Sequence, residues 1–188
     1  DQAASWFERA LAEAWSGRLD RCDRLVISDR NLLAWLTVDG RDVVAKCCVD
    51  STRFARLAAV DALVSWLGEH RMPVAAPIAA ADGRLRVEHG RFSIGLYPFI
   101  RGDLLDAADI DQVTAAGQEL ARLHQALSSY PRPFDDDGPA GPNRQLVHGD
   151  VRSANILVDG ACVVAVLDFD DAATGSRIAD LGKAAVLL

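Results

Sequence analysis

The sequence predicts an α+β protein in two parts: a small antiparallel β part with one inserted helix, then a mostly helical part carrying a β-hairpin. Three observations predict it. Three β-like runs, DRLVIS, LLAWLTV and DVVAKCCV, follow one another early, and Asp39-Gly40 between the last two is a tight-turn pair. A helix-period segment over 52–67 then interrupts the strands. Late in the chain, NILVDG and CVVAVLDFD read as a second hairpin turning at Asp159-Gly160.

The remaining elements follow in order. Trp6, Phe7, Leu11, Ala14 and Trp15 share one face of an opening helix. The helix over 52–67 ends before Met72-Pro73, and short strands are expected over 74–79 and 85–87, with RFSIGLYPFI as the next. Ile110, Val113, Ala116, Leu120, Leu123 and Leu127 mark a strong amphipathic helix, on which His124 has a spacing that suits packing. PRPFDDDGPAGPN, over 131–143, is the one linker-like stretch. The expected division is a first lobe over 1–97 and a second over 98–188.

Composition excludes some partners. Lys plus Arg is 20 against 27 Asp plus Glu, a formal charge of −7, so nucleic acid or an anionic membrane is not the main partner. No apolar run is long enough to span a bilayer, and DQAASWFERALAEAW lacks the basic start and apolar block of a secretory signal. The absence of an initiator Met suggests a trimmed chain. Cys22, Cys47, Cys48 and Cys162 show no CxxC spacing, so reduced core thiols in a cytoplasmic protein are expected.

The chemistry concentrates in LVHGDVRSANILVDGACVVAVLDFDDAATGSRIADL. Phosphoryl transfer needs a carboxylate to orient and deprotonate a hydroxyl, hard oxygen ligands for magnesium, and a cation on the phosphates. Asp150, inside HGD at the end of an apolar run, suits the base. Asn155, five positions later, offers an amide oxygen where the next strand begins, and Asp168 closes the strand CVVAVLD. Lys46 stands late in the strand VVAK, where alternation can turn it inward. Neither GxGxxG nor GxxxxGK[ST] occurs, which argues against Rossmann and P-loop architectures.

HGDVRSAN has the Asp-to-Asn spacing of the kinase catalytic loop, and LDFD stands where the DFG element would. With Gly149 in place of the usual Arg, this ordered pair resembles the aminoglycoside phosphotransferase and choline kinase family. The resemblance implies a two-lobed protein-kinase-like fold and an ATP- and Mg2+-dependent enzyme phosphorylating a hydroxyl of a small molecule. It implies Asp150 as base, Asn155 and Asp168 as magnesium ligands, and Lys46 on the phosphates. The acidic partner of Lys46 would be Asp61, with Glu69 the second choice. His148 and Asp180 would brace the catalytic loop. The turn Ser28-Asp29-Arg30-Asn31 takes the place of the phosphate-covering loop, with Ser28 either touching phosphate or only closing a turn. In LYPFIRGDLL, the Pro98 carbonyl and the Ile100 N–H would hold adenine. Family members continue with further helices after the Asp180-Leu181 pair, so a fragment or a reduced member is expected. Asp103, Asp106, Asp109, Asp111, Asp135, Asp136 and Asp137 either favour a cationic acceptor or are solvated loop carboxylates. A protein kinase and a nucleotide-binding pseudokinase are the alternatives. HGD instead of HRD counts against the first, and the presence of Lys46, Asp150, Asn155 and Asp168 against the second.

Overall fold

The computed structural model describes residues 2–28, 31–131, 134 and 144–187. They divide into two compact units, one of residues 1–62 with 76–99 and one of 63–75 with 100–188.

The first unit is built on a five-stranded antiparallel sheet of β1 (Leu19–Ile27), β2 (Leu32–Val38), β3 (Arg41–Cys48), β4 (Arg86–His89) and β5 (Phe92–Pro98), in the order β1-β2-β3-β5-β4. Alternation sends Ala34, Leu36, Val43, Ala45, Cys47, Ile94 and Leu96 to one face, where Phe7, Ala10 and Leu11 of helix α1 (Gln2–Trp15) complete a buried core. The indole N–H of Trp15 anchors the helix end to the Ile78 carbonyl at 3.0 Å. Asp39 and Gly40 both have positive φ, 47° and 73°, which matches the twist of the β2–β3 hairpin. The other sheet face carries Lys46, Ser93, Gly95 and Tyr97 and meets Asp61 of helix α2 (Phe54–Glu69). Asp50 caps the 3-10 turn that leads into α2 by accepting from the Thr52 N–H at 3.0 Å.

In the second unit, β6 (Asp103–Leu104), β8 (Ile156–Asp159) and β9 (Cys162–Val166) form a three-stranded sheet, and β7 (Arg144–Val147) pairs with β10 (Ala173–Ser176). Helix α3 (Ile110–Leu127) packs on β7 and β9, and α4 (Arg177–Leu187) packs on β7 and β10. Asp109 caps α3 by accepting from the N–H groups of Asp111 and Gln112. Ala116, Leu120, Leu123 and Leu127 are its buried stripe, as the spacing requires.

Several expectations need correction. The strand over 74–79 reduces to a single parallel bridge between Val74 and Val166, because Pro73 and Pro77 lack the amides a ladder uses. Strand β1 begins earlier than DRLVIS, at Leu19, and reaches its length through register shifts opposite β2. The short β6, β7 and β10 were not anticipated. Of the cysteines, Cys47 and Cys48 are buried, but Cys22 is half-buried and Cys162 is exposed on its hairpin, so not all are core thiols. Most of the linker stretch (132–133 and 135–143), including Asp135, Asp136 and Asp137, lies outside the described residues, as do Asp29 and Arg30. Among the described residues no helix is long and apolar enough to cross a membrane.

Candidate active site

The segment from β7 to α4, which carries Asp150, Asn155 and Asp168, lies wholly in the second unit. After β7 the chain turns through His148, Gly149 and Asp150, makes a 3-10 turn over Ser153–Asn155, and enters β8. The Asn155 side-chain amide donates to both the Asp150 backbone carbonyl and its Oδ2, each at 2.9 Å. Two hydrogen bonds across five residues close the loop on itself, and they spend the amide nitrogen of Asn155 on Asp150. Its carbonyl oxygen, a hard donor, is the end left for another group. Arg152 Nε reaches the same Asp150 Oδ2 at 3.0 Å. Both contacts therefore fall on Oδ2, and neither is made to Oδ1.

The loop is supported from behind. Burial, the largest influence, pushes the His148 imidazole below its ordinary pKa, so the ring is neutral. Its Nδ1 accepts from the Asp150 N–H at 3.2 Å, which assigns the proton to Nε2, and Nε2 donates to the Leu167 carbonyl at 3.0 Å. The Leu167 N–H in turn donates to the Asn155 carbonyl at 2.8 Å. His148 thus ties the loop holding Asp150 to the strand end holding Asp168. Asp168 itself is exposed and sits in the left-handed region, with φ 62° and ψ 69°, a conformation that Asp tolerates better than most residues.

Asp180, on α4, accepts from the Gly149 N–H at 2.9 Å, the His148 N–H at 3.3 Å and His124 Nε2 at 2.9 Å. Burial pushes the Asp180 carboxyl up, but these donors and the two imidazoles together outweigh it and hold the pKa below the usual carboxylate range. Lys183 Nζ donates to the Gly149 carbonyl at 2.7 Å. Gly149 has φ +84°, and a Cβ there would lie 2.2 Å from the Asp171 carbonyl oxygen. Only glycine fits this corner, which is the physical reason for HGD in place of HRD.

Sequence reasoning missed Arg152, whose signal was its place two residues after Asp150. It also assigned His124 to packing; that residue is buried, and it holds Asp180 as well.

In the first unit, Lys46 is half-buried on β3, opposite Leu33 of β2 and Gly95 of β5. Asp61 is buried, and its Oδ2 forms an ion pair with Arg86 Nε at 2.7 Å while Oδ1 accepts from the Tyr97 hydroxyl. The Lys46 charge also acts on Asp61. Glu69, the second choice, is exposed at the end of α2 in the other unit. The Ser28 hydroxyl donates to the Asn31 carbonyl at 3.0 Å and accepts from the Asn31 N–H at 3.1 Å, so it closes its own turn. Pro98 ends β5 opposite Val43, the Phe99 N–H donates to the Asp42 carbonyl, and Ile100 opens the second unit. Asp103 lies on β6; the Asp106 and Asp109 carboxylates accept turn and cap hydrogen bonds at the start of α3, and Asp111 gives its backbone N–H to Asp109.

Residues 134–187 match the model of the Phosphotransferase enzyme family. Stress response kinase A of Salmonella choleraesuis (strain SC-B67) is 29% identical over 158 residues, 61% of this chain and 47% of that protein. The Salmonella typhimurium (strain LT2) protein named Serine/threonine protein kinase RdoA has the same identity and coverage. The chain spans about half the length of these curated relatives. Among solved structures, spectinomycin phosphotransferase APH(9)-Ia, in complex with ADP and spectinomycin, superposes with a TM-score of 0.71 at 14% identity, over 95% of this chain and 72% of that one. Macrolide 2'-phosphotransferase MphH from Brachybacterium faecium does so with a TM-score of 0.70 at 19% identity, over 96% and 76%. The resemblance read from HGDVRSAN and LDFD is borne out: the fold is that of the kinase-like phosphotransferases, and residues 134–187, which contain both motifs, match the Phosphotransferase enzyme family.

Proposed function

We propose that the chain is the nucleotide-binding and catalytic part of an ATP-dependent phosphotransferase acting on a hydroxyl of a small molecule. One observation carries the reading: Asp150 is fixed through Oδ2 by Asn155 and Arg152, on a loop that His148 ties to Leu167, the residue before the exposed Asp168. Asp150 Oδ1 orients the acceptor hydroxyl and takes its proton. The hydroxyl oxygen bonds to the γ-phosphorus, the bond to the β,γ-bridging oxygen breaks, and ADP leaves with that electron pair. In this reading Arg152 offsets charge on the transferred group, and Lys46 holds the phosphate chain. Pro98 and Ile100 are proposed for adenine.

The residues present fit magnesium. Asn155 and Asp168 supply one amide and one carboxylate oxygen, and no group of three or more acidic, His or Cys residues forms a metal cage among the described residues. Magnesium takes few protein ligands and completes its shell with water and phosphate oxygens. When bound it would neutralise phosphate charge.

A protein serine or threonine hydroxyl is a second reading of the acceptor, favoured by the name of the Salmonella typhimurium relative. ATP as donor places either reaction in the cytoplasm.

Thermal unfolding with ATP, with and without Mg2+, tests the nucleotide site. Saturating Mg-ATP should stabilise the chain, by about 2.7 kcal/mol at a hundredfold excess over Kd. Asp168→Ala should lose the magnesium-dependent part. Equal shifts in the variant would remove Asp168 as a ligand.

A further inference from the structure

The residue that holds Asp61 is an arginine from across the sheet. Lys46 on β3 and Arg86 on β4 are both register partners of Gly95 on β5, so the three lie in one row across adjacent strands, on the face that meets Asp61. Gly95 leaves the gap between them. A Cβ there would stand 2.6 Å from the Tyr97 hydroxyl and 2.8 Å from Arg86 Nη2, so any other residue would push the guanidinium out of the row.

Arg86 uses each guanidinium nitrogen. Nε pairs with Asp61 Oδ2 at 2.7 Å, Nη1 donates to the Ser93 carbonyl at 3.2 Å, and Nη2 donates to the Tyr97 hydroxyl at 3.0 Å. The Tyr97 hydroxyl in turn donates a hydrogen bond to Asp61 Oδ1. The side chains are 5% exposed for Arg86 and 1% for Asp61, so the pair is built in rather than a surface encounter. Both carboxylate oxygens are thereby fixed by the sheet. Charge decides what this does to Lys46. A carboxylate shared with Lys46 alone would cancel the ammonium. With Arg86 present the row Lys46–Asp61–Arg86 carries a net charge of one positive unit, which an anionic phosphate chain can use.

We propose that Arg86 is a positioning residue for the nucleotide: it fixes and neutralises Asp61, which holds Lys46 in place without quenching its charge. This rests on the proposed function, in which Lys46 contacts phosphate. Burial holds the Asp61 pKa above its ordinary value, and the charges of Arg86 and Lys46 and the hydrogen bonds from Tyr97 and Arg86 pull against it.

The test is a double-mutant cycle on Mg-ATP affinity, read by titration calorimetry on urea-verified folded protein. Arg86→Met removes the fork, and Arg86→Lys keeps a charge but cannot span Asp61, Ser93 and Tyr97 together, so it serves if the first variant fails to fold. Either should bind Mg-ATP about tenfold or more weakly in the wild-type background, the size of one lost charged hydrogen bond. In a Lys46→Met background the same change should cost less than about twofold, because its route runs through Lys46. Wild-type affinity in a folded Arg86 variant, or equal losses in both backgrounds, would overturn the proposal alone. Failure of the wild-type chain to bind Mg-ATP would overturn the functional reading with it.

Discussion

Replacing Gly149 by Ala probes the corner on which Asp150 is mounted. An L-residue at φ +84° costs about 1–2 kcal/mol before any contact is counted. The added Cβ would meet the Asp171 carbonyl oxygen at 2.2 Å and its carbon at 2.9 Å, and these are backbone atoms that cannot rotate away. The loop must shift by about 1 Å to restore ordinary van der Waals separation. That shift stretches the Gly149 N–H bond to Asp180, 2.9 Å in the native loop and charge-assisted, worth about 1.5–3 kcal/mol. The Lys183 contact to the Gly149 carbonyl is exposed and adds little. The total is about 2.5–5 kcal/mol, a large share of a typical stability of about 5–15 kcal/mol. Gly160→Ala is the control: it has φ +60° in open space, so it should cost only about 1 kcal/mol. Urea unfolding of the wild type and both variants measures the difference. If Gly149→Ala falls within about 1 kcal/mol of Gly160→Ala, the packing of Gly149 on Asp171 does not constrain the loop, and the account of HGD is wrong.

Two further outcomes follow from burial. The folded pKa of His148 lies below its ordinary 6.5, so the unfolded chain binds more protons between the two values; its stabilising contribution is present above pH 6.5 and lost as pH falls below it. Asp180, lowered from 3.8, adds a second loss at more acid pH, and the first limb should flatten in His148→Gln when stability is measured by urea across pH 4–8. Burial pushes the Cys47 thiol up to about 12, whereas Cys162 is exposed, so iodoacetamide at about pH 8 should label Cys162 and spare Cys47 in peptide mass spectra of the native protein.

The strands β2 and β3 were legible because Leu32–Val38 and Arg41–Cys48 are β-favouring runs that meet at an Asp-Gly turn, and buried and less buried residues alternate through the middle of each. The catalytic segment was legible because its chemistry is local: Asp150 and Asn155 are five residues apart and bond directly. What escaped was non-local or weakly patterned. Arg86 and Asp61 are 25 residues apart and meet only through the register of β4 on β5, which no spacing reveals. The helical period of His124 shows that it is buried, but Asp180, its partner 56 residues on, lies on another helix. β10 is ATGS, a sequence with no strand signature, and forms because β7 offers it a partner. Apolar content suggested a strand over 74–79, and the two prolines, present in the same letters, decided otherwise.

The most direct test of the central claim is Asp150→Asn, assayed by ADP release against a panel of aminoglycosides, choline, homoserine and serine- or threonine-containing peptides. The side chain keeps its shape but loses the proton acceptor, so the account predicts Mg-ATP affinity near that of the wild type and turnover lower by about 10²–10⁴-fold. Turnover unchanged in this variant would contradict Asp150 as the base and with it the mechanism.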